Sequence, residues 1–201
     1  MNAGRRLDVS HLPTIAFGPR APLWWGQIWM CTIESTVFAL MVAAYFYLRL
    51  NYSEWPPSGV INPPPVLSTI CLVLLCFSSV PMYMADVAAE NAERNKVIAF
   101  LTIGLILGTI AFVLRLKYLT QLSYHWNSHA YGSIVWTLLV THTAHLITAV
   151  VETLVTIVIA IKGPFGEKQR LGVYSNGPYW DFVVIWWVIL YGIVILGDYY
   201  L

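Results

Sequence analysis

Thirty residues from Ser133 to Lys162 are long enough to cross a bilayer, yet carry two histidines and a carboxylate near their middle. On a helix of roughly 3.6 residues per turn, Thr137, Thr141, His145, Thr148, Glu152 and Thr156 recur at steps of three or four and form one polar stripe. His142 flanks it, three residues before His145. The other faces are Val, Ile, Leu and Ala. Polar groups are costly in hydrocarbon and normally face a bundle interior or a water-lined cavity. The stripe is therefore expected to turn inward, with the bare faces toward lipid.

The rest of the chain suits such a helix. Of its 201 residues, 58% are hydrophobic and only 10% charged, against about 25% charged in soluble domains. This composition predicts an all-α, polytopic membrane protein forming a single transmembrane domain over residues 1–201. Five spans are expected, at about 23–49, 65–85, 96–116, 133–162 and 178–197. Trp24, Trp25 and Trp29 open the first and Tyr45, Tyr47 and Tyr52 close it, as interfacial aromatics do. Pro81 is expected to bend the second. Residues 1–22 hold Arg5, Arg6, Asp8 and Arg20 without an apolar run, so no cleavable signal is read there. A net charge of +1 gives no basic field for nucleic acid. Cys31, Cys71 and Cys76 fall in apolar segments and read as buried free thiols.

Loop charges orient the chain. Arg5, Arg6 and Arg20, then Arg94 and Lys96, then Lys162, Lys168 and Arg170 lie on one side, against Arg49, Arg115 and Lys117 on the other. The positive-inside bias predicts a cytoplasmic N-terminus. Asp86, Glu90 and Glu93 join Arg94 and Lys96 in what reads as a solvated loop.

Glu34 lies 11 residues beyond Leu23, about 16 Å into the first span. Glu152 lies 10 residues before Lys162, about 15 Å from the same side. If the first and fourth helices are neighbours, Glu34, His145 and Glu152 meet in a buried polar cluster flanked by His142. Such a cluster either satisfies itself by hydrogen bonding between helices or takes part in proton movement or lipid binding. The histidine pair shares a helix face and could chelate a metal, although packing and hydrogen bonding is the default. Haem within this chain is disfavoured, because the spans offer histidines on one helix alone; His125 and His129 lie in a loop and His11 in the N-terminal arm. Asp181, four residues into a fifth helix starting at Pro178, suits the helix dipole. Trp180, Trp186 and Trp187 read as lipid-facing or interfacial. No phosphate loop, nucleophile triad or zinc spacing is present.

Three ordered stretches resemble subunit III of the haem-copper terminal oxidases. Ile33-Glu34-Ser35 with Phe38, Ala43, Ala44 and Tyr45 is similar to the family's helix with a membrane-buried glutamate. Tyr131-Gly132-Ser133 followed by Thr141, His142 and His145 resembles its Y-G-S and paired-histidine run. Tyr179-Trp180, Phe182-Val183 and Trp187 resemble its Y-W-H-F-V-D-V-V-W signature. The Trp55-Pro56-Pro57 loop also fits, and the resemblance runs from about Trp24 to Tyr200.

This resemblance implies the short, five-helix bacterial form, with two helices in one bundle, three in another and lipid between. It implies a non-catalytic subunit of a proton-pumping respiratory complex in the bacterial inner membrane, reducing oxygen to water at the end of an aerobic electron transport chain. Its expected partners are the catalytic subunit I, subunit II, membrane lipids and a larger respiratory supercomplex. Haem and copper are expected on the partner subunits, with no metal in this chain and phospholipid bound to it. Stabilising subunit I and supporting proton uptake are the implied roles, and the lipid cleft is also an oxygen route. Glu34 takes the position of the family's buried glutamate, and His142 and His145 those of its histidines. Asp181 and Val184 replace the signature's histidine and aspartate, Lys117 stands before Tyr118 where the family has glutamate, and Thr143 and Ala144 separate the histidines. Glu152 has no counterpart in the pattern. A quinol oxidase subunit and a nitric oxide reductase accessory subunit are the nearest alternatives. A stand-alone proton or ion transporter relaying through Glu34, His145 and Glu152, a haem-bearing anchor and an assembly scaffold are readings from other classes.

Overall fold

The computed structural model describes residues 20–197; Arg5, Arg6, Asp8, His11 and Tyr200 lie outside them. Five long helices follow in order: α1 (Pro22–Asn51), α2 (Val66–Glu90), α3 (Arg94–Thr120), α4 (Ala130–Lys162) and α5 (Glu167–Leu190), the last continuing as a π-helical turn over Tyr191–Leu196. All are long and apolar enough to cross a membrane. Pro22 opens α1 at the position where a missing N–H costs nothing. His129 caps α4, its Nδ1 accepting from the Gly132 amide at 2.8 Å.

The fifth helix begins 11 residues before the expected Pro178. Pro178 lies inside it, and so Asp181 is a mid-helix residue rather than a dipole partner at the N-terminus. The helix absorbs this proline because the segment ahead of it is anchored by packing. Arg170 reaches α2, donating from Nε to the Ala89 carbonyl at 2.6 Å and from Nη2 to Glu90. Asn176 and Thr153 pair between α5 and α4 at 3.0 Å. Arg94, at the start of α3, does for α4 what Arg170 does for α2. Its Nε donates to the Ala160 carbonyl at 2.7 Å and its Nη2 to Ile161. Each arginine thus satisfies terminal carbonyls that a helix cannot satisfy itself. Neither is a free loop charge. Asp86 and Glu90 likewise belong to α2, not to a loop, and Lys96 pairs with Glu93 at 2.8 Å.

The helices do not separate into the expected groups of two and three. α1 packs on α4 and α5, whereas α2 packs on α3 and α5. The first two helices do not form a pair, because α5 fills the position between them. Trp186 Nε1 donates to Ser35 on α1 at 3.1 Å, and Trp180 Nε1 donates to Ser78 on α2 at 2.8 Å. The fifth-helix tryptophans are accordingly not all lipid-facing. Trp180 and Trp187 are buried, and Trp180 lies so close to Gly108 on α3 that any β-carbon there would strike its ring. Tyr45 is buried too, edge-on to Trp55 at 5.5 Å. Among the cysteines, Cys31 and Cys71 are buried but Cys76 is exposed.

Candidate functional site

The stripe on α4 is rotated away from the bundle centre. The face that α4 buries runs through Leu138, His142, Leu146, Ala149 and Thr153, whereas Thr137 and Thr148 are exposed and His145, Glu152 and Thr156 half-buried. The expectation of an inward stripe fails because threonine satisfies its own hydroxyl. Thr137, Thr148 and Thr156 each donate to the carbonyl four residues earlier, at 2.7, 3.0 and 2.8 Å. Threonines bonded in this way place no demand on the bundle interior; Thr148 also meets Tyr179 on α5. The bare faces, through Val151, Leu154, Val155 and Val158, do point outward.

What the stripe does face is α1. His145 Nε2 lies 3.3 Å from Glu34 Oε2 across the α1–α4 seam. Its other nitrogen, Nδ1, is 2.8 Å from the Thr141 carbonyl. A carbonyl can only accept, so Nδ1 carries a proton. Nε2 is then the nitrogen that faces Glu34, and a hydrogen bond between the two is one shared proton.

Beside the pair lies a cleft of about 410 Å³, lined by Gln27, Met30, Glu34, Ala144, His145, Thr148, Glu152 and Tyr179. Glu34, His145 and Glu152 thus share one cleft. Toward the end where α4 finishes, Ser175 Oγ donates to Gln27 Oε1 at 3.4 Å. On the far side of α1 runs a groove of about 410 Å³ between Trp24, Ile28, Cys31 and Thr32 on α1 and Asp181, Ile185 and Trp186 on α5. α1 therefore stands as a ridge with a cleft on each flank. Its outer face carries Trp29, Ile33, Leu40, Tyr47 and Leu50, all exposed.

His142 is not part of this cluster. It is fully buried, its ring 6.5 Å from that of Phe38 and 5.2 Å from that of Trp187, with Nε2 donating to the Val183 carbonyl at 3.0 Å. Among the described residues, no three of His, Cys, Asp and Glu converge as metal ligands. The remaining signature positions are structural. Tyr131 accepts from Asn62 at 2.8 Å and meets Trp55 edge-on at 5.1 Å. Gly132 passes so near the His125 carbonyl that a β-carbon would stand 2.7 Å from it. Ser133 donates to the Trp126 carbonyl at 2.7 Å. Phe182 packs on Phe38 at 6.1 Å.

Sequence reasoning missed one buried residue. Arg115, read as a loop charge, lies inside the bundle at 1% exposure with Cζ 3.3 Å above the Trp187 ring. Its place four residues ahead of the helix-ending Leu119-Thr120 pair was the available signal, since side chains there still fall within the packed part of α3.

Five helices of bilayer length and apolar composition define a multi-pass membrane protein. The family model for cytochrome c oxidase subunit III matches residues 10–199. This chain belongs to that family. Relatives named cytochrome c oxidase subunit 3 include one from Pelomedusa subrufa, 26% identical over 190 residues and covering 90% of this chain and 70% of that protein. One from Thermostichus vulcanus is 25% identical, covering 79% of each chain. Another, from Bacillus subtilis (strain 168), is 25% identical, covering 81% of this chain and 80% of that protein. Membership implies association with other oxidase subunits.

Proposed function

We propose that the chain is the non-catalytic third subunit of a proton-pumping, oxygen-reducing haem-copper oxidase of the cytochrome c branch, in a bacterial inner membrane with its N-terminus in the cytoplasm. Haem and copper belong to the catalytic partner in this reading. The chain braces subunit I along α1, holds phospholipid in the clefts flanking that helix, and supports proton uptake. The observation that carries the proton role is the Glu34–His145 pair, 3.3 Å apart and open to the Glu152 cleft. The Thr141 carbonyl engages His145 Nδ1 and leaves Nε2 facing Glu34, and Gln27 and Ser175 extend the polar lining toward the end rich in Arg94, Lys162 and Arg170.

The test is gentle purification on an N-terminal tag, with a reduced-minus-oxidised spectrum, mass spectrometry of the companions and prolonged turnover. Haem signals and a large catalytic partner are expected, and a colourless chain recovered alone would refute the assignment. Glu34→Ala is expected to start at near-normal oxygen-reduction rates and lose activity faster during turnover. Superimposable decay curves for the variant and the wild type would remove the proton role while leaving the subunit assignment standing.

A further inference from the structure

Among the described residues, Arg115 is the only Lys, Arg, Asp or Glu that is buried, and none of the acids balances it. The titratable groups that act on it electrostatically are Cys71 and Tyr118. Cys71 is not an anion, because its Sγ donates to the Ala111 carbonyl at 3.5 Å, and Arg115 Nη2 reaches that sulfur only at 3.9 Å. Arg115 Nε and Nη1 have no hydrogen-bond partner among the described residues. The same is true of two other buried donors nearby. One is the indole N–H of Trp187, on whose ring the guanidinium rests; the other is the Ser68 hydroxyl, one turn before Cys71 on α2. His142 closes the α4 side of Trp187.

We propose that Arg115, Ser68 and the Trp187 indole N–H form a buried site for a small monovalent inorganic anion of chloride size, at the junction of α2, α3 and α5. A buried charge is costly unless it is paired and its donors are satisfied. Water accepts from these donors but leaves the charge uncompensated, whereas a halide does both. The donors are guanidinium N–H groups, an indole N–H and a hydroxyl, the types anion recognition uses; the neighbouring His142 Nδ1 is an acceptor that also lacks a partner. The inference is independent of the function proposed above.

The experiment is thermal unfolding of the purified full-length protein in detergent, with chloride replacing gluconate at constant ionic strength. A saturable rise in the unfolding midpoint is expected. Arg115→Met should abolish the chloride response. Ser68→Ala should raise the half-saturating chloride roughly fivefold, the worth of one hydrogen bond. Lys117→Gln, which removes an exposed cation, should keep the response. Equal midpoints in chloride and gluconate for the wild type would overturn the proposal, whether or not Arg115→Met folds. So would a chloride response that survives in Arg115→Met or disappears in Lys117→Gln. Bromide soaked into crystals provides an independent reading: an anomalous peak against Arg115 supports the site, and peaks confined to the surface refute it.

Discussion

Trp180 and Trp187 stand seven residues apart on α5, two turns of helix, and so share a face. Each meets a different set of neighbours: Trp180 holds Ser78 and rests against Gly108, while Trp187 lies under Arg115 and beside His142. Gly108→Ala is expected to destabilise the protein by about 1–3 kcal/mol, because the ring it strikes is locked in place by Ser78. Trp180→Phe keeps most of the packing and should lose about 1 kcal/mol with its hydrogen bond. Thermal unfolding in detergent measures both, and a Gly108→Ala protein as stable as wild type would contradict the close approach. The burial of these rings was not legible beforehand. A tryptophan in an apolar helix reads the same whether it meets lipid or a neighbouring helix, since lipid tails are as apolar as a core. Glu34 and His145 were easier to place, because a carboxylate and an imidazole at matching depths on two spans have few other ways to be satisfied.

At the scale of the helix, α4 separates threonines that serve their own backbone from those that serve a neighbour. Thr137 gives its hydroxyl to the Ser133 carbonyl, whereas Thr153 is buried against Asn176 on α5. Thr137→Val should therefore change stability by less than about 0.5 kcal/mol. Thr153→Val strands a buried amide and should cost about 1–3 kcal/mol. Equal effects of the two substitutions on the unfolding midpoint would contradict this division. Helix number and order were legible from apolar run lengths, and four of the five spans begin within a few residues of expectation. The start of α5 was not. Its first turns are polar, and Pro178 looks like a beginning when only local propensity is weighed. Anchoring by Arg170 and Asn176, which decides the matter, is visible only once α2 and α4 are in place.

Across the whole molecule, α5 is the hub that touches α1, α2 and α4, and α1 rides on the outside as a ridge between two clefts. A grouping of two and three helices was expected from family resemblance, but it depends on which helices meet, and no periodicity within a single helix encodes that. Arg94 and Arg170 lock one end of the bundle in pairs, α3 onto α4 and α5 onto α2. Arg170→Gln should lower stability by about 1.5–3 kcal/mol, the range for hydrogen bonds from a charged donor. It should also speed hydrogen exchange in the last turn of α2. Unchanged exchange there would mean that the carbonyls of Ala89 and Glu90 do not depend on Arg170. These two clamps also have a consequence in time. A ribosome delivers α2 long before Arg170 exists, so the end of α2 waits unfinished while two more helices enter the membrane. The α4 end, by contrast, finds Arg94 already there. A chain halted after α4 should accordingly be cut by protease between residues 86 and 94, and become resistant there once α5 is made.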